Sequence, residues 1–300
     1  MALHDAGFTV TEILTRDSAS SLRRGRSLAA KVGARGVTFR SAALDASLLW
    51  FCIPDREIRR AASTLADHVL GRVLMNQRAI PHLALHSSGA LSSRELNPLR
   101  SADMAVASAH PLMTFVAGAR PDLSGVPFAI EGDDEATRGA RRIVRELGGE
   151  SFSLPASRKA AYHAWATMTS PLLVAYLAAL EDAARIAGLS REDARRMSMP
   201  ILRQTLDNYA NLGATQAFSG PLIRGDAETV AKHLAAFKKH PEVRGVYVAL
   251  AQAALRALPV KNKDELERLL GEESSPAVRQ SRAASVSRIA PALSCRKKDN

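Results

Sequence analysis

Cysteine is scarce in this sequence of 300 residues, since Cys52 and Cys295 are the only two. Two cysteines, one in an apolar run and one in a polar segment, make neither a disulfide framework nor a zinc cluster. Long hydrophobic runs are also absent. The longest covers residues 168–180, contains Pro171 and is shorter than the roughly 20 residues that cross a bilayer. The first five residues lack the basic and apolar regions of a secretory signal. We therefore expect a cytoplasmic protein without a membrane span.

Aromatic side chains make up only 5% of the chain, and none lies in residues 274–300. This segment has four Arg and two Lys against one Asp, so it carries +5 of the net charge of +11. The charge distribution favours a basic disordered tail, placed at 272–300, as the source of the high isoelectric point. Alternatively, the tail binds nucleic acid through phosphates, although it lacks aromatic side chains on which bases would stack. Nucleic-acid binding ranks last among the functions considered below, and we regard nucleic acid as an unlikely partner.

Short apolar runs alternate with helical patterns in the first half of the chain, as they do in parallel α/β proteins. The run at 48–53 is apolar without alternation, which is typical of a central strand covered on both faces. The pattern predicts a Rossmann-like parallel-sheet domain over residues 1–154. We predict its strands at 8–14, 37–39, 48–53, 82–86, 104–108 and 126–130, and its helices at 20–34, 55–70 and 133–147.

The second half of the chain is rich in strong helix formers and has helical periodicity throughout. One long helix is predicted over 155–188, and Pro171 should kink it or end its first half. Ser190 and Asp226 are suited to cap the helices that follow them. We thus predict an all-α domain over residues 155–271, between the Rossmann-like domain and the tail.

The glycine-rich turn of a dinucleotide-binding fold is missing from this sequence, because no G-x-G-x-x-G occurs in it. In such folds this turn follows the first strand, and its backbone amides hold the cofactor pyrophosphate. Residues 2–7 read as the last turn of a helix with Gly7 as its C-cap. We therefore expect the chain to lack the first strand and the glycine loop of its Rossmann-like domain.

Ligands of open parallel sheets bind at the carboxyl ends of the strands, and polar residues gather at those ends here. In dinucleotide-binding folds, the residue just after one strand contacts the adenosine ribose. An Arg at this position accommodates the 2′-phosphate of NADP, whereas an acidic residue accepts a hydrogen bond from the 2′-hydroxyl of NAD. Arg16 therefore favours NADP, although exposed strand ends and basic helix faces are ordinary surface features as well. The candidate cofactor-binding residues are Arg16, Ser18, Pro54, Asp55, Ser87 and Gly89.

Two histidines are the candidate proton donors. His110 lies at a strand end, and His163 lies on the long helix that we expect to face the carboxyl edge of the sheet. A lone histidine on a helix is more often a core or surface residue, so that alternative stays open. His82 and His86 are four residues apart on a strand, about 13 Å, and cannot share one metal ion. We predict no metal site. The candidate catalytic residues are His163, His110, Ser88 and Ser170.

Several short motifs resemble a bacterial family of oxidoreductases with a Rossmann-like half and a helical domain of unknown function (2520). In the first half these are HSSGAL at 86–91, SAHPLMTF at 108–115 and GVPF at 125–128. In the second half they are YHA at 162–164, LRQTL at 202–206, SGP at 219–221, and RGD at 224–226 followed by HL at 233–234. The family is similar in plan to pyrroline-5-carboxylate, ketopantoate and F420-dependent NADP reductases.

The resemblance implies NADP-linked reduction of an unknown small-molecule substrate and a homodimer formed through the helical domain. The chain departs from the family in its missing glycine turn. It also has Ser170 and Pro171 where many members have Ser-Asn. Our leading hypothesis is an NADP-dependent reductase or dehydrogenase in which Ser88 positions the substrate. The alternative is a non-catalytic Rossmann-like binding or scaffold protein, which the missing turn favours.

Overall fold

A computed structural model describes residues 1–74, 81–116 and 118–271. The chain divides into two compact units, one comprising Met1–Pro171 and one beginning at Leu172. The predicted basic tail at 272–300 lies outside the described residues. Among the helices of the described ranges, none is both long enough and apolar enough to span a membrane.

Within its described residues, the first unit contains seven strands in two sheets. The smaller sheet pairs β1 and β2 in parallel. The larger sheet has the order β3-β4-β5-β6-β7, and its neighbours are parallel except for β5 and β6. The strands are β1 (Glu12–Thr15), β2 (Arg35–Thr38), β3 (Leu48–Phe51), β4 (Leu83–His86), β5 (Ala105–Pro111), β6 (Pro127–Gly132) and β7 (Glu150–Ser153).

Helices cover both faces of the larger sheet. On one face, Ile58 and Leu99 of two different helices pack with Ala84 of β4. On the other face, Ala140 packs with Leu85 of β4. Alternate residues of β4 thus enter two separate apolar clusters, which explains why its sequence is apolar without alternation. The helices of this unit are α1 (Ala2–Asp5), α2 (Ala19–Ala30), α3 (Asp55–Leu74), α4 (Asn97–Arg100), α5 (Asp134–Glu146) and α6 (Lys159–Thr169).

These elements confirm the predicted fold class, a Rossmann-like α/β part followed by a helical part. The sheet differs from the prediction at β5 and β6, which are antiparallel. Parallel neighbours need a crossover connection, usually a helix, and none lies among the described residues between these two strands. β7 was not predicted, because its four residues are short, polar and exposed and so lack the apolar pattern of a buried strand.

The predicted long helix over 155–188 is two helices, α6 and α7 (Pro171–Ile186). Ser170 separates them with non-helical backbone angles, φ −124° and ψ −74°. The residue before a proline is disfavoured in helical conformation, so Pro171 ends one helix and begins the next.

The second unit is helical, as predicted. Ser190 caps α8 by accepting a hydrogen bond from the Asp193 N–H, and Asp226 caps α10 by accepting one from the Thr229 N–H. Its core joins Val230 and Leu234 to leucines of the last two helices. The remaining helices are α8 (Arg191–Ala217), α9 (Pro221–Arg224), α10 (Ala227–Ala236), α11 (Pro241–Ala257) and α12 (Lys263–Gly271).

Candidate functional site

Three adjacent parallel strands, β3, β4 and β5, end side by side in the first unit. The chain after β3 leads through Pro54 to Asp55 at the start of α3. The chain after β4 continues from His86 into a loop that ends at Ser93. His110 lies near the end of β5. The sheet therefore brings most of the predicted polar strand ends to one edge.

The loop after β4 is fastened by hydrogen bonds within the loop and to Asp55 of α3. The Ser88 hydroxyl donates to Asp55 Oδ2 over 2.7 Å and accepts from the Leu91 N–H over 2.9 Å. Because a serine hydroxyl has one proton, Ser88 has none left to donate to a substrate in this arrangement. The Ser88 N–H donates to His86 Nδ1 over 3.1 Å, and His86 Nε2 lies 3.0 Å from the Ser92 carbonyl.

His86 is fully buried, and burial lowers its pKa to about 4. It is therefore neutral near pH 7. Because its Nδ1 accepts from a backbone N–H, its Nε2 carries the proton and donates to the Ser92 carbonyl. His86 thus fixes the loop and is not available as a proton donor to a substrate.

Lys159 and Tyr162 are two residues of this site that were not among the sequence candidates. Lys159 begins α6, is only 2% exposed, and its Nζ donates to the Ser88 carbonyl and to Ser108 Oγ, each over 2.6 Å. Burial lowers its pKa to about 8, although the charges of Glu131 and Asp55 partly oppose this effect. Its position four residues before His163 could have indicated that Lys159 lies in the same site, because residues at that spacing share one face of a helix.

His110, His163 and Tyr162 gather beside Gly89. His110 Nδ1 lies 3.0 Å from the Tyr162 hydroxyl, and the centres of the two histidine rings are 6.0 Å apart. A Cβ at residue 89 would overlap His163 Cδ2 and lie 2.7 Å from His110 Nε2. Only glycine therefore allows this close approach of the loop to both imidazole rings.

Burial perturbs the ionisation of the two side chains that meet here. It lowers the pKa of His110 to about 4, assisted by the positive charge of Lys159, and it raises the pKa of Tyr162 to about 12. Both groups are consequently neutral near pH 7. Perturbed ionisable groups that converge at a sheet edge are typical of functional sites.

The other predicted residues lie at different places. Ser87 Oγ accepts a hydrogen bond from Trp50 Nε1 over 2.8 Å, next to the cluster. Ser170 lies seven residues after His163, about 10 Å along a helix axis, and no contact in the described part of the chain joins it to the cluster. Arg16 is exposed after β1, and Ser18 caps α2 by accepting from the Ser21 N–H. Within the described ranges, no three His, Cys, Asp or Glu side chains form a group that could bind a metal.

Comparison with known proteins supports the resemblance stated from the motifs. Residues 126–254 match the family model described as Domain of unknown function (DUF2520). The DUF2520 match begins at β6 and continues into α11, so it includes His163 and most of the helical unit. No curated protein sequence matches this chain significantly.

Three solved structures illustrate the shared fold. A proposed NADP oxidoreductase from Bacteroides fragilis is 20% identical with a TM-score of 0.65, covering 84% of this chain and 90% of its own. An imine reductase from Myxococcus stipitatus in complex with NADP⁺ is 15% identical with a TM-score of 0.54, covering 85% and 90%. A pyrroline-5-carboxylate reductase from Coxiella burnetii is 14% identical with a TM-score of 0.50, covering 84% and 92%. At these identities the likeness is one of fold.

Proposed function

We propose that this protein is an NADP-dependent oxidoreductase that transfers hydride to or from a small molecule. The observation that carries the proposal is the cluster of His110, His163 and Tyr162 against Gly89, at the carboxyl edge of a Rossmann-like sheet. Open α/β sheets bind their ligands at this edge. Similar folds that are named as NADP-linked reductases support the same function.

The residues present fit the two ends of an NADP molecule. Arg16 is exposed after β1, where it could pair with the 2′-phosphate. Gly89 lets the loop approach both imidazoles closely at the edge where the nicotinamide would lie. The sequence has no G-x-G-x-x-G, so the fit concerns the ends of the cofactor and not its pyrophosphate.

When bound, the reduced cofactor supplies the hydride, and this chain must supply the proton for the substrate oxygen or nitrogen. We assign the proton to His163, because the low pKa of His110 leaves that ring mostly neutral near pH 7. The Tyr162 phenol keeps its own proton and donates to His110 Nδ1, so His110 Nε2–H is free to hold the reacting oxygen or nitrogen. Ser88 acts by positioning the loop, together with Asp55.

Oxidation of NADPH, followed at 340 nm, tests this assignment with a panel of aldehydes and ketones, each supplied with and without an amine. Positioned general acids typically contribute about 10²- to 10⁴-fold in rate. We therefore expect His163→Gln to lower kcat at least a hundredfold while leaving the affinity for NADPH unchanged. The matched control is His82→Gln, an exposed histidine just before β4. Wild-type turnover in His163→Gln, or an equal loss in the control, contradicts the assignment.

Cofactor choice is tested separately, by fluorescence titration with NADPH and NADH. A charge-assisted hydrogen bond contributes about 1.5–3 kcal/mol, so Arg16→Ala should weaken NADPH binding at least tenfold and leave NADH binding unchanged. Arg138→Ala, an exposed arginine on α5, is the control. NADPH binding without turnover on any substrate would favour the non-catalytic alternative. If Arg16→Ala bound NADPH as tightly as the wild type, Arg16 would not belong to the cofactor site.

We also propose a homodimer formed through the helical unit. No residue of α7 is buried, and α8 buries only Ala194. Large apolar side chains on both helices are exposed, among them Val174 at 63% and Ile201 at 67%. Exposed apolar patches of this kind mark interaction surfaces, and a second copy would cover both helices symmetrically.

Light scattering coupled to size-exclusion chromatography tests the dimer. Ile201→Arg should give a monomer at concentrations where the wild type is dimeric, because it places a charge in the proposed interface. Ala236→Arg, an exposed position on α10, is the control and should remain dimeric. A wild-type monomer at all concentrations, or an unchanged dimer in Ile201→Arg, contradicts this interface.

A further inference from the structure

The peptide bond between Ser88 and Gly89, in the loop after β4, has a fixed orientation. Its carbonyl, that of Ser88, accepts from Lys159 Nζ over 2.6 Å and from Ser108 Oγ over 3.3 Å. Lys159 is 2% exposed and Ser108 is fully buried, so this carbonyl points into the interior of the first unit. In a planar trans peptide the C=O and the following N–H point in opposite directions. The Gly89 N–H therefore points away from Lys159 and Ser108.

This N–H has no hydrogen-bond acceptor in the described part of the chain. The neighbouring amides are bonded, because the Ser88 N–H donates to His86 Nδ1 and the Leu91 N–H donates to Ser88 Oγ. Gly89 is nevertheless buried, and buried backbone N–H groups without a partner are rare in native proteins. The Gly89 N–H thus calls for an acceptor that the described residues do not themselves supply.

The unpaired N–H lies close to His110. A Cβ at residue 89 would lie 2.7 Å from His110 Nε2. Standard geometry places a Cβ about 2.5 Å from its own backbone nitrogen, so the Gly89 nitrogen and His110 Nε2 are at most about 5 Å apart. Because the Tyr162 phenol donates to His110 Nδ1, His110 Nε2 carries a free N–H. Each N–H···O bond spans about 2.9 Å, so two donors at this separation can share one oxygen.

Two N–H donors suit an oxygen acceptor better than a nitrogen acceptor. A carbonyl oxygen has two lone pairs and can accept from both, and the negative charge that develops on it during hydride transfer strengthens both bonds. An imine nitrogen has one lone pair and an iminium cation has none, so at least one donor would face it unbonded. The Lys159 ammonium also polarises the Ser88 carbonyl, which makes the Gly89 N–H of the same peptide a stronger donor.

We propose that the Gly89 N–H and the His110 Nε2–H form an oxyanion hole for a substrate carbonyl, so that the protein reduces aldehydes or ketones to alcohols rather than imines to amines. This inference rests on the proposed oxidoreductase function and names its substrate class. The hydride from NADPH forms the new C–H bond, and the π electrons of the C=O bond move to the oxygen held by the two donors. The proton of His163 then forms the O–H bond, which leaves NADP⁺ and a neutral imidazole.

Matched substrate pairs test the class. NADPH oxidation at 340 nm is followed with cyclopentanone and cyclohexanone, and with 1-pyrroline and 1-piperideine, the cyclic imines of the same ring sizes. We expect kcat/KM to be at least tenfold higher for the ketone of each pair. Higher values for the imines would overturn the proposal while leaving the oxidoreductase function intact. Turnover of neither class would count against the proposed function, and the binding measurement that follows then decides whether the oxyanion hole exists.

Isobutyramide tests the two donors without any reaction, because it presents a carbonyl oxygen that resists hydride reduction. The Gly89 N–H is removed by incorporating glycolic acid at position 89 of the full chain, which replaces the N–H by an ester oxygen and adds no side chain. The matched control carries glycolic acid at position 33, where an exposed glycine follows α2. Binding of isobutyramide is measured by NMR titration of the ¹⁵N-labelled proteins, with and without NADPH.

We expect isobutyramide to move the Gly89 amide proton downfield in the wild type, and the ester at position 89 to weaken its binding at least tenfold. Removing one oxyanion-hole donor typically lowers kcat by about 10²- to 10³-fold, so this ester should lower ketone reduction about a hundredfold with little change in NADPH affinity. The control at position 33 should match the wild type in both measurements. An unmoved Gly89 resonance overturns the proposal, as does wild-type isobutyramide affinity in the position-89 ester.

Discussion

Lys159 provides the sharpest test of the electrostatics of this site, because its ammonium is buried and donates to two acceptors of the first unit. Its Nζ donates to the Ser88 carbonyl and to Ser108 Oγ. Replacing Lys159 by methionine keeps an unbranched side chain but removes the charge and both donors. The quantity to compare is the pH dependence of the unfolding free energy in the wild type and in Lys159→Met.

The sign follows from the direction of the pKa change. The pKa is lowered from 10.5, the ordinary value expected in the unfolded chain, to about 8 in the folded chain. Below pH 8 both states are protonated, and the folded state bears the full cost of the buried charge. As pH rises from 8 toward 10.5 the folded state loses its proton first, so stability increases with pH.

The size of this effect is roughly 3 kcal/mol over the whole window and about 2 kcal/mol between pH 7 and pH 9.5. Higher pH is avoided because burial raises the pKa of Tyr162 to about 12. Its phenol would ionise first in the unfolded chain, which lowers stability above about pH 10. The wild type should therefore gain about 2 kcal/mol relative to Lys159→Met between pH 7 and pH 9.5.

Urea unfolding followed by tryptophan fluorescence measures this difference. Both tryptophans of the chain, Trp50 and Trp165, lie in the first unit, so the signal reports the unit that contains Lys159. Lys31→Met, at an exposed position after α2, is the control and should keep the wild-type pH profile. Parallel profiles for wild type and Lys159→Met would refute the reasoning, as would an equal change in the control.

Three further outcomes are expected. Gly89→Ala should lower kcat at least tenfold with little change in NADPH affinity, because its Cβ would displace His163 or His110; Gly71→Ala on α3, where a Cβ meets open space, should be neutral. Glu12→Gln should destabilise the first unit by about 2 kcal/mol in urea unfolding. The reason is that the Glu12 carboxylate is only 3% exposed and accepts hydrogen bonds from two backbone amides and an arginine, and the substitution removes its charge. An unchanged urea midpoint would contradict this. Fusing a strand and a G-x-G-x-x-G turn ahead of Met1 should tighten NADPH binding by about a hundredfold to ten-thousandfold, since two charge-assisted hydrogen bonds of about 1.5–3 kcal/mol each are added. Equal affinities with and without the fusion would show that this chain holds the pyrophosphate in another way.

Local patterns were enough to predict most elements of the fold. The apolar runs that became β3 and β4 were recognisable because residues buried on both faces leave a continuous hydrophobic signature. Ser190 and Asp226 predicted helix starts because a cap hydrogen bond joins residues only three apart. β7 was missed because an exposed polar strand has no apolar pattern. The break between α6 and α7 at Ser170 was predicted from Pro171, because proline disfavours helical conformation in the residue before it.

The sequence by itself determined which residue types stand at strand ends and on helix faces, and hence that His110, His163 and Asp55 were candidates. Only the tertiary structure decided which of them meet. Lys159 reaches the Ser88 carbonyl across 71 positions of the chain, and that contact depends on the packing of α6 beside β4 and β5. Burial, which shifts the pKa values of Lys159 and His110, is likewise set by neighbours from distant segments. A linear pattern reports nearest neighbours along the chain, whereas desolvation and long-range hydrogen bonds depend on what the fold places around a group.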